Sequence, residues 1–475
     1  MHLSLDKKGT LYDQIARAIR SEILEGRIAA ESKLPSTRSL AIALGVSRKS
    51  VLQAYDLLCA EQLAISRAGS GTRVAKLAFS ARASTKIGIV PASRYAVRAR
   101  SLPSITLAGA HGRDRLRYDL LYGEPLVDPA LFHSWRRKLA AAALRAGPKY
   151  PSAGGYLPLR RAIADYLGRR RGIICDASDI LVVGGTQQAL TVVERVLLNP
   201  GDRVVVEDPH YQLAQHSLLA HGARVISGRT DHEGLVVAEL TRRPTRLVFV
   251  TPSHQFPSGV VMSLARRLEL LKWAARTGCW IFEDDYDTEF HLDDRSLPAL
   301  RTLDLTDRVL YVGTFSKTLF PSLRLGYIVC PKALRDDLYR AKLLDDLGCA
   351  TMEQAALGTF IQSGQYERHL RKTIKEIANR RRAIVEGLQR IEGSRIEIGP
   401  HQTGMHFVVW LRSVSFDRLG AFIDRAKSLG LGLHPVHPYY RTRPSQPGLL
   451  VGYAGLSVGQ LKTAAELFAR CLDME

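Results

Sequence analysis

The stretch Gly313–Gly326, GTFSKTLFPSLRLG, sets Lys317 between a serine and an apolar run, with Arg324 seven positions on. A lysine in such company is either a surface side chain whose stem lies along the fold or an amine held in a pocket. In a pocket, burial and neighbouring charge lower its pKa, and the free amine can form a Schiff base with an aldehyde. The flanks set the fold. Strand candidates RVLYVG (308–313) and LGYIVC (325–330) bracket the stretch, after ILVV (180–183), RVVVE (203–207), RLVFV (246–250) and WIFED (280–284), with helical segments between most of them. This alternation predicts an α/β domain with a mainly parallel, doubly wound sheet and ligands at the strands' C-terminal ends.

The chemistry-bearing residues follow those ends. GGTQQAL (184–190) leaves a strand and opens a helix, so the amides of Gly185, Thr186 and Gln187 are placed for an anion, although such turns are usually only turns. EDPHYQ (207–212) puts Tyr211 after the next strand, as core packing or as a face for a flat ring. EDDYDTEF (283–290) sets three acids at the end of an apolar strand, where they repel one another and resist desolvation unless a cation or metal is present. Pyridoxal phosphate (PLP) needs a lysine, a carboxylate facing the pyridine nitrogen, a donor to the phenolic oxygen and a phosphate cup. The sequence offers all four, against the alternative of an outward Lys317 and a solvated acid cluster.

The front of the chain has a different pattern. GTLYDQIARAIRSEILEGRI carries Leu11, Ile15, Ile19 and Ile23 on one helical face after Thr10 as N-cap, with Gly26 as a stop. A short helix capped by Ser36, a break at Gly45-Val46 and a second helix capped by Ser47 follow, the latter turning Val51, Tyr55 and Leu58 inward. LAISRAGSGTRVA reads as a hairpin wing turning over Ala68 to Gly71 and bearing Arg67 and Arg73. Arg38, Ser47, Arg48, Lys49 and Ser50 lie at helix N-termini, where cations suit an approaching phosphate and where a second helix would meet base edges. A small helical packing domain is the alternative on periodicity alone.

At 475 residues the chain has material for two or three units. Its 67 Lys and Arg against 46 Asp and Glu favour a polyanionic partner, and the first 100 residues hold 17 basic and 7 acidic residues. The six cysteines form no CxxC pair, so neither a zinc site nor a disulfide framework is indicated, and no metal is expected. No apolar run has the length of a membrane span, and the expected location is the cytoplasm. Residues 76–116 lose periodicity and carry Lys76, Arg82, Lys86, Arg94, Arg98 and Arg100 without an acid up to residue 100. They are expected to form a basic flexible linker with a reach on the order of 35 Å, between a head at 1–75 and a large domain at 117–475.

The set LPSTRSLA, GVSRKSVLQAY and GSGT resembles the winged helix-turn-helix of GntR-type bacterial regulators over residues 10–75. YPSAGGYLPLR, GGTQQAL, EDPHY, TPSHQFPSG, EDDYDTEF and TFSKTLFPSLRLG resemble a fold-type I aminotransferase, and the fusion resembles the MocR/GabR-type regulators, with a PdxR-like, PLP-responsive branch among them. The resemblance implies that Lys317 holds PLP and Asp284 pairs with the pyridinium. Tyr286 would bond the phenolic oxygen, and Tyr211 would stack on the ring. Gly185, Thr186, Gln187, Thr314, Ser316 and Arg324 would bind the phosphate, with Tyr150 reaching in from the second subunit of a homodimer.

The pattern departs from the family in three places. Leu450 stands in LLVGYA where an aminotransferase has its carboxylate-clamping arginine, Leu213 stands two residues beyond Tyr211 where GabR-like sites use an arginine, and Phe256 replaces an asparagine. An arginine clamp orients as well as binds, so its loss weakens reaction with ordinary amino acids. The expected function is therefore a PLP-dependent regulator that binds double-stranded operator DNA and senses PLP or an amine at Lys317. PLP is the favoured effector over a GABA-like or amino-acid one, for which His434, His437, Arg441 or Arg443 would be the replacement anion groups. The alternative is a working aminotransferase with an accessory DNA-binding head.

Overall fold

The computed structural model describes residues 3–67, 69–76, 91–104, 116–124, 126, 128–145, 150–240, 243–291, 297–391 and 393–474. It divides into two compact units, Met1–Pro91 and Ala92–Glu475. Ala68 of the expected wing turn, and 77–90 and 105–115 of the expected linker with Arg82 and Lys86, lie outside the described residues.

The first unit contains α1 (Leu11–Leu24), α2 (Thr37–Leu44) and α3 (Arg48–Ala60), then an antiparallel hairpin of β1 (Ala64–Arg67) and β2 (Gly71–Val74). Ser36 and Ser47 cap their helices by accepting the N–H of Ser39 and Ser50, each at 3.1 Å. Gly45 closes α2 at φ 66°, a left-handed turn that glycine enters without steric cost. Thr10 stands at the N-cap of α1 as expected, but its hydroxyl donates to Asp13 and caps no backbone N–H. Ile15, Ile19 and Ile23 pack with Leu40, Val51, Tyr55 and Leu58, and Ala64 and Val74 seat the hairpin on this core.

The second unit opens with α4 (Arg94–Ser101), inside the segment expected to be a linker. No residue of α4 is buried, which is why apolar periodicity could not reveal it. There follow β3 (Tyr118–Asp119), α5 (Pro129–Arg145), α6 (Leu157–Arg171), β4 (Ile180–Val183), α7 (Thr186–Leu197), β5 (Arg203–Asp208) and α8 (Gln212–His221). Next come β6 (Arg224–Asp231), β7 (Gly234–Leu235), β8 (Leu247–Val250), α9 (Leu264–Thr277), β9 (Trp280–Asp285), α10 (Leu300–Leu303), β10 (Val309–Thr314) and β11 (Gly326–Val329). Helix α4 is held on α8 by Arg98, whose guanidinium donates to the carbonyls of Ala220 (2.9 Å) and His221 (2.8 Å). Those carbonyls end α8, where the helix dipole favours a cation.

The central sheet has the order β4-β11-β10-β9-β8-β5-β6-β7. The pairs from β10 through β9, β8 and β5 to β6 are parallel, while β11 runs antiparallel to both β10 and β4. The α/β, mainly parallel expectation therefore matches. The reversed β11 results from the short β10–β11 connection, too short for a crossover helix. That connection carries Lys317.

Helices α11 (Arg335–Asp346), α12 (Thr351–Gln362) and α13 (Gln365–Gln389) lead to β12 (Ile396–Ile398) and β13 (His406–Leu411). Helix α14 (Phe416–Ser428), β14 (Leu431–Gly432), β15 (His434–Pro435), β16 (Gly448–Gly452) and α15 (Val458–Asp473) complete the chain. The second sheet, β12-β13-β16-β15, is antiparallel. Among the described residues, no helix is long and apolar enough to cross a membrane.

Candidate functional site

Strand β9 ends in Glu283-Asp284-Asp285, and the two-residue period of a strand sends the middle acid to the opposite face from its neighbours. Glu283 accepts the N–H of Leu300 (2.8 Å) and of Arg301 (2.9 Å) at the start of α10. Asp285 is paired with Arg171 (2.7 Å) and takes the Tyr311 hydroxyl (2.6 Å). Asp284 is left with the Thr186 hydroxyl at 3.3 Å and is 5 % exposed. Burial pushes its carboxyl up to about 8, against the pull of Thr186 and Lys317. The three acids coexist because each has its own surroundings, and Asp284 alone lacks a strong partner.

Lys317 follows β10, and its ammonium lies over the Tyr122 ring, 4.5 Å from the centroid, instead of pointing outward. Gly123, at φ 93°, leaves the space: a Cβ there would stand 3.4 Å from the Lys317 Nζ. Desolvation draws the Lys317 pKa below the usual lysine value, while Asp287, Asp284 and Glu124 oppose the shift.

Helix α7 begins at Thr186 after Gly185, which has φ 101° and provides no side-chain cap, so the first amides of α7 remain available to an anion. Arg324 holds a left-handed backbone, φ 51° and ψ 43°, at a cost of about 1–3 kcal/mol for a non-glycine residue. This brings its guanidinium onto the Gly184 carbonyl, within 3.2 Å of where a Cβ on Gly185 would stand. Across the same edge, the Thr314 hydroxyl donates to Ser316 Oγ (3.1 Å) and accepts the Ser316 N–H (3.2 Å). The side-chain oxygen of Gln187 is buried without a partner.

Tyr211 precedes α8, its hydroxyl pushed up to about 12 by burial, and its ring stands 6.0 Å from Phe256. Tyr286 donates to the His254 carbonyl at 2.9 Å. Tyr150 lies outside this set, 89 % exposed. A free helix N-terminus with an arginine beside it suits a phosphate, a buried acid raised to about 8 suits a pyridinium, and an inward amine suits an aldehyde. The residues present thus fit PLP.

Sequence reasoning missed the residues between these groups. His254 Nδ1 bonds Asp287 Oδ2 at 2.8 Å, with both side chains 1 % exposed. The His406 ring lies 4.5 Å from both the Tyr122 and the His254 rings, and burial, with the charges of His254 and Lys317, keeps it well below the usual histidine pKa. TPSHQFPSG and EDDYDTEF did contain His254 and Asp287, whereas Tyr122 and His406 had no local signal. Of the replacement anion groups, His434 is bonded to Asp119 (2.6 Å) and Arg443 is stacked on Phe416 at 3.7 Å. Arg441 gives its guanidinium to the Val225 carbonyl (3.4 Å), and the His437 Nδ1 is buried without a partner.

In the first unit Arg38, Ser47, Arg48 and Lys49 are exposed at the start of α2 and α3, and Ser50 is partly so. Arg38 and Arg48 line an open hollow with Ala41, Ile42, Gly45 and Val46. Arg48 Nε reaches Thr37 Oγ1 at 3.3 Å. On the wing Arg67 is exposed at the end of β1, while Arg73 donates to the Glu31 carbonyl at 3.0 Å.

Residues 11–74 match the family described as bacterial regulatory proteins, gntR family, and residues 119–466 match aminotransferase class I and II. The chain is 36 % identical to the probable rhizopine catabolism regulatory protein MocR of Rhizobium meliloti, over 96 % of this chain and 92 % of that protein. It is 29 % identical to the HTH-type pyridoxine biosynthesis transcriptional regulator PdxR of Corynebacterium glutamicum, over 93 % of this chain and 91 % of that one. Among solved structures, Pyrococcus horikoshii kynurenine aminotransferase in complex with PMP superposes with a TM-score of 0.68 at 26 % identity, over 75 % of this chain and 91 % of its own. The chain belongs to the MocR-type GntR regulators, which join a GntR helix-turn-helix domain to an aminotransferase class I and II domain.

Proposed function

We propose that this chain is a transcription regulator that binds double-stranded operator DNA through a head at residues 1–75 and holds PLP at Lys317 in a sensing domain at 117–475. Residues 76–116 are the joining segment, and the sensed molecule is PLP or an amine that competes with Lys317 for it. The observation that carries this reading is the convergence of Lys317, Asp284, Tyr211 and the arginine-flanked start of α7 on one sheet edge. PLP, when bound, supplies an aldehyde that captures primary amines.

The chain's own residues have separable tasks. Burial keeps a larger share of the Lys317 amine unprotonated and nucleophilic. Asp284 gains a cationic partner for a carboxyl that is otherwise poorly solvated. The amides of α7 and Arg324 would hold the phosphate, and Tyr211 would lie against the ring. Exposed Tyr150, Leu343, Leu344, Leu347 and Met352 support a homodimer.

The test is borohydride reduction of PLP-treated protein followed by peptide mapping, with gel shifts on DNA upstream of the protein's own gene, with and without PLP. The expected result is a fixed adduct on Lys317 that is absent from Lys317→Ala, together with a change in the gel shift. A protein that takes up no PLP would overturn the reading. Steady-state transamination at about 1 to 10³ per second would move the enzyme alternative to first place.

A further inference from the structure

The surface beside Lys317 is an aromatic wall. Phe256 lies 5.0 Å from Tyr122, 6.0 Å from Tyr211 and 5.1 Å from Tyr439, ring centre to ring centre. Leu450, 2 % exposed, and Val436 complete the cluster. The wall already receives a primary ammonium, because the Lys317 Nζ rests over the Tyr122 face at cation–π distance.

The acids acting on that ammonium are Asp287, Asp284 and Glu124, and the basic group beside it, His406, is held well below the usual histidine pKa by burial. Arg324 is drawn to the Gly184 carbonyl at the anion end of the site. His434, Arg441 and Arg443 have partners elsewhere, and the His437 ring, whose Nδ1 has no partner, stands against Phe416. A carboxylate entering beside Lys317 would lose its water against aromatic rings, and among the described residues of this cluster there is no arginine or lysine to pair with it besides Lys317 itself. Such desolvation is costly when no paired charge or hydrogen bond replaces the water. A neutral body on a primary amine meets no such penalty and gains ring contacts.

We propose that the ligand of this site is a primary amine without a carboxylate, whose uncharged body packs on Tyr122, Phe256 and Tyr439 while its nitrogen takes the place of the Lys317 amine. This rests on the reading of Lys317 as the PLP-holding residue, and it narrows the effector to one class.

The test uses the full chain loaded with PLP, with the borohydride adduct on Lys317 verified first. The protein is titrated with 2-phenylethylamine, cyclohexylamine, phenylalanine and 4-aminobutyrate, following the cofactor absorbance and the affinity for operator DNA. The two amines should act at concentrations at least about tenfold lower than the two carboxylates, since 1.4 kcal/mol corresponds to a factor of ten. Equal or better response to a carboxylate, or a change in DNA affinity with PLP and with neither amine, overturns the proposal while the adduct still stands. Absence of the adduct overturns the cofactor reading, and this one with it. Phe256→Leu should retain the adduct and weaken 2-phenylethylamine about tenfold; unchanged affinity also overturns the proposal. Leu450→Arg, if it retains the adduct, should bring phenylalanine to parity with the amine, and an unchanged preference counts against the wall as the source of selectivity.

Discussion

The head and the sheet-edge site place their charged groups in opposite ways. The head keeps Arg38, Arg48 and Lys49 exposed within a dozen residues of one another in sequence. Each such cation is solvated before contact, contributes modestly, and is weakened by salt. The sheet-edge site draws its groups from Tyr122 to Leu450 and buries many of them. There a single charge matters far more, because water does not screen it, and its proton affinity moves by units. Exposed sites thus work by number, and buried sites by placement.

The strongest way to break this comparison is Asp284→Asn. Removing one partner of a buried charge pair costs about 2–5 kcal/mol, so PLP affinity should fall by roughly a hundredfold or more, measured by equilibrium dialysis. The same change has a pH signature in the cofactor-free protein. Asp284 titrates at about 8, and Glu207, Glu283 and Glu289 at about 7, all raised by burial above their unfolded values. Between about pH 4 and those values the folded protein binds protons that the unfolded chain has released. Stability contributed by these groups is therefore greatest at low pH and declines as pH rises through 7 to 8. Thermal melts of the wild type should fall across that window, and Asp284→Asn should fall less steeply; parallel curves would contradict the burial argument.

In the head the effects should be smaller and dependent on salt. Arg48→Ala should weaken operator binding by about 1–3 kcal/mol if it reads a base, and it should reduce the slope of log affinity against log salt by about one if it neutralises a phosphate. Arg73→Ala should do less, since that guanidinium already serves the Glu31 carbonyl. Fluorescence anisotropy over a salt series separates these outcomes.

The smallest effect on global stability concerns Arg98. Arg98→Ala removes two charge-assisted hydrogen bonds, worth about 1.5–3 kcal/mol each at most, from a helix with no buried residue. Hydrogen exchange in 94–101 should accelerate strongly, with the melting temperature of the large unit almost unchanged. Equal protection in the variant would show that another contact docks α4.

Legibility in the sequence followed the same divide. Caps at Ser36 and Ser47, the turn at Gly45 and the inward Val51, Tyr55 and Leu58 depend on neighbours a few residues away, and the sequence carried them correctly. The sheet strands were legible because apolar runs such as ILVV are too short for a helix and rich in β-branched residues, which decides between two elements that periodicity leaves open. The reversed β11 comes from pairing across a short connection, the antiparallel second sheet from pairings between separate strands, and the placement of His406 against Tyr122 from a contact between distant parts of the chain, none of which a local period encodes. Three adjacent acids looked like one charged cluster because sequence spacing conceals the face each side chain takes. Helix α4 remained hidden for the opposite reason: an arginine at another helix's end anchors it, and a lone arginine in a basic stretch looks like a solvated one.

Helix α8 has a consequence of its own. Ten residues of α-helix rise about 15 Å, and this one starts beside Tyr211, on the aromatic wall, and ends at the carbonyls that grip Arg98. The helix that carries Tyr211 at its start thus docks α4 at its end. A movement of the whole helix would therefore reach Arg98, whereas a rotation of the Tyr211 ring alone would leave that grip in place.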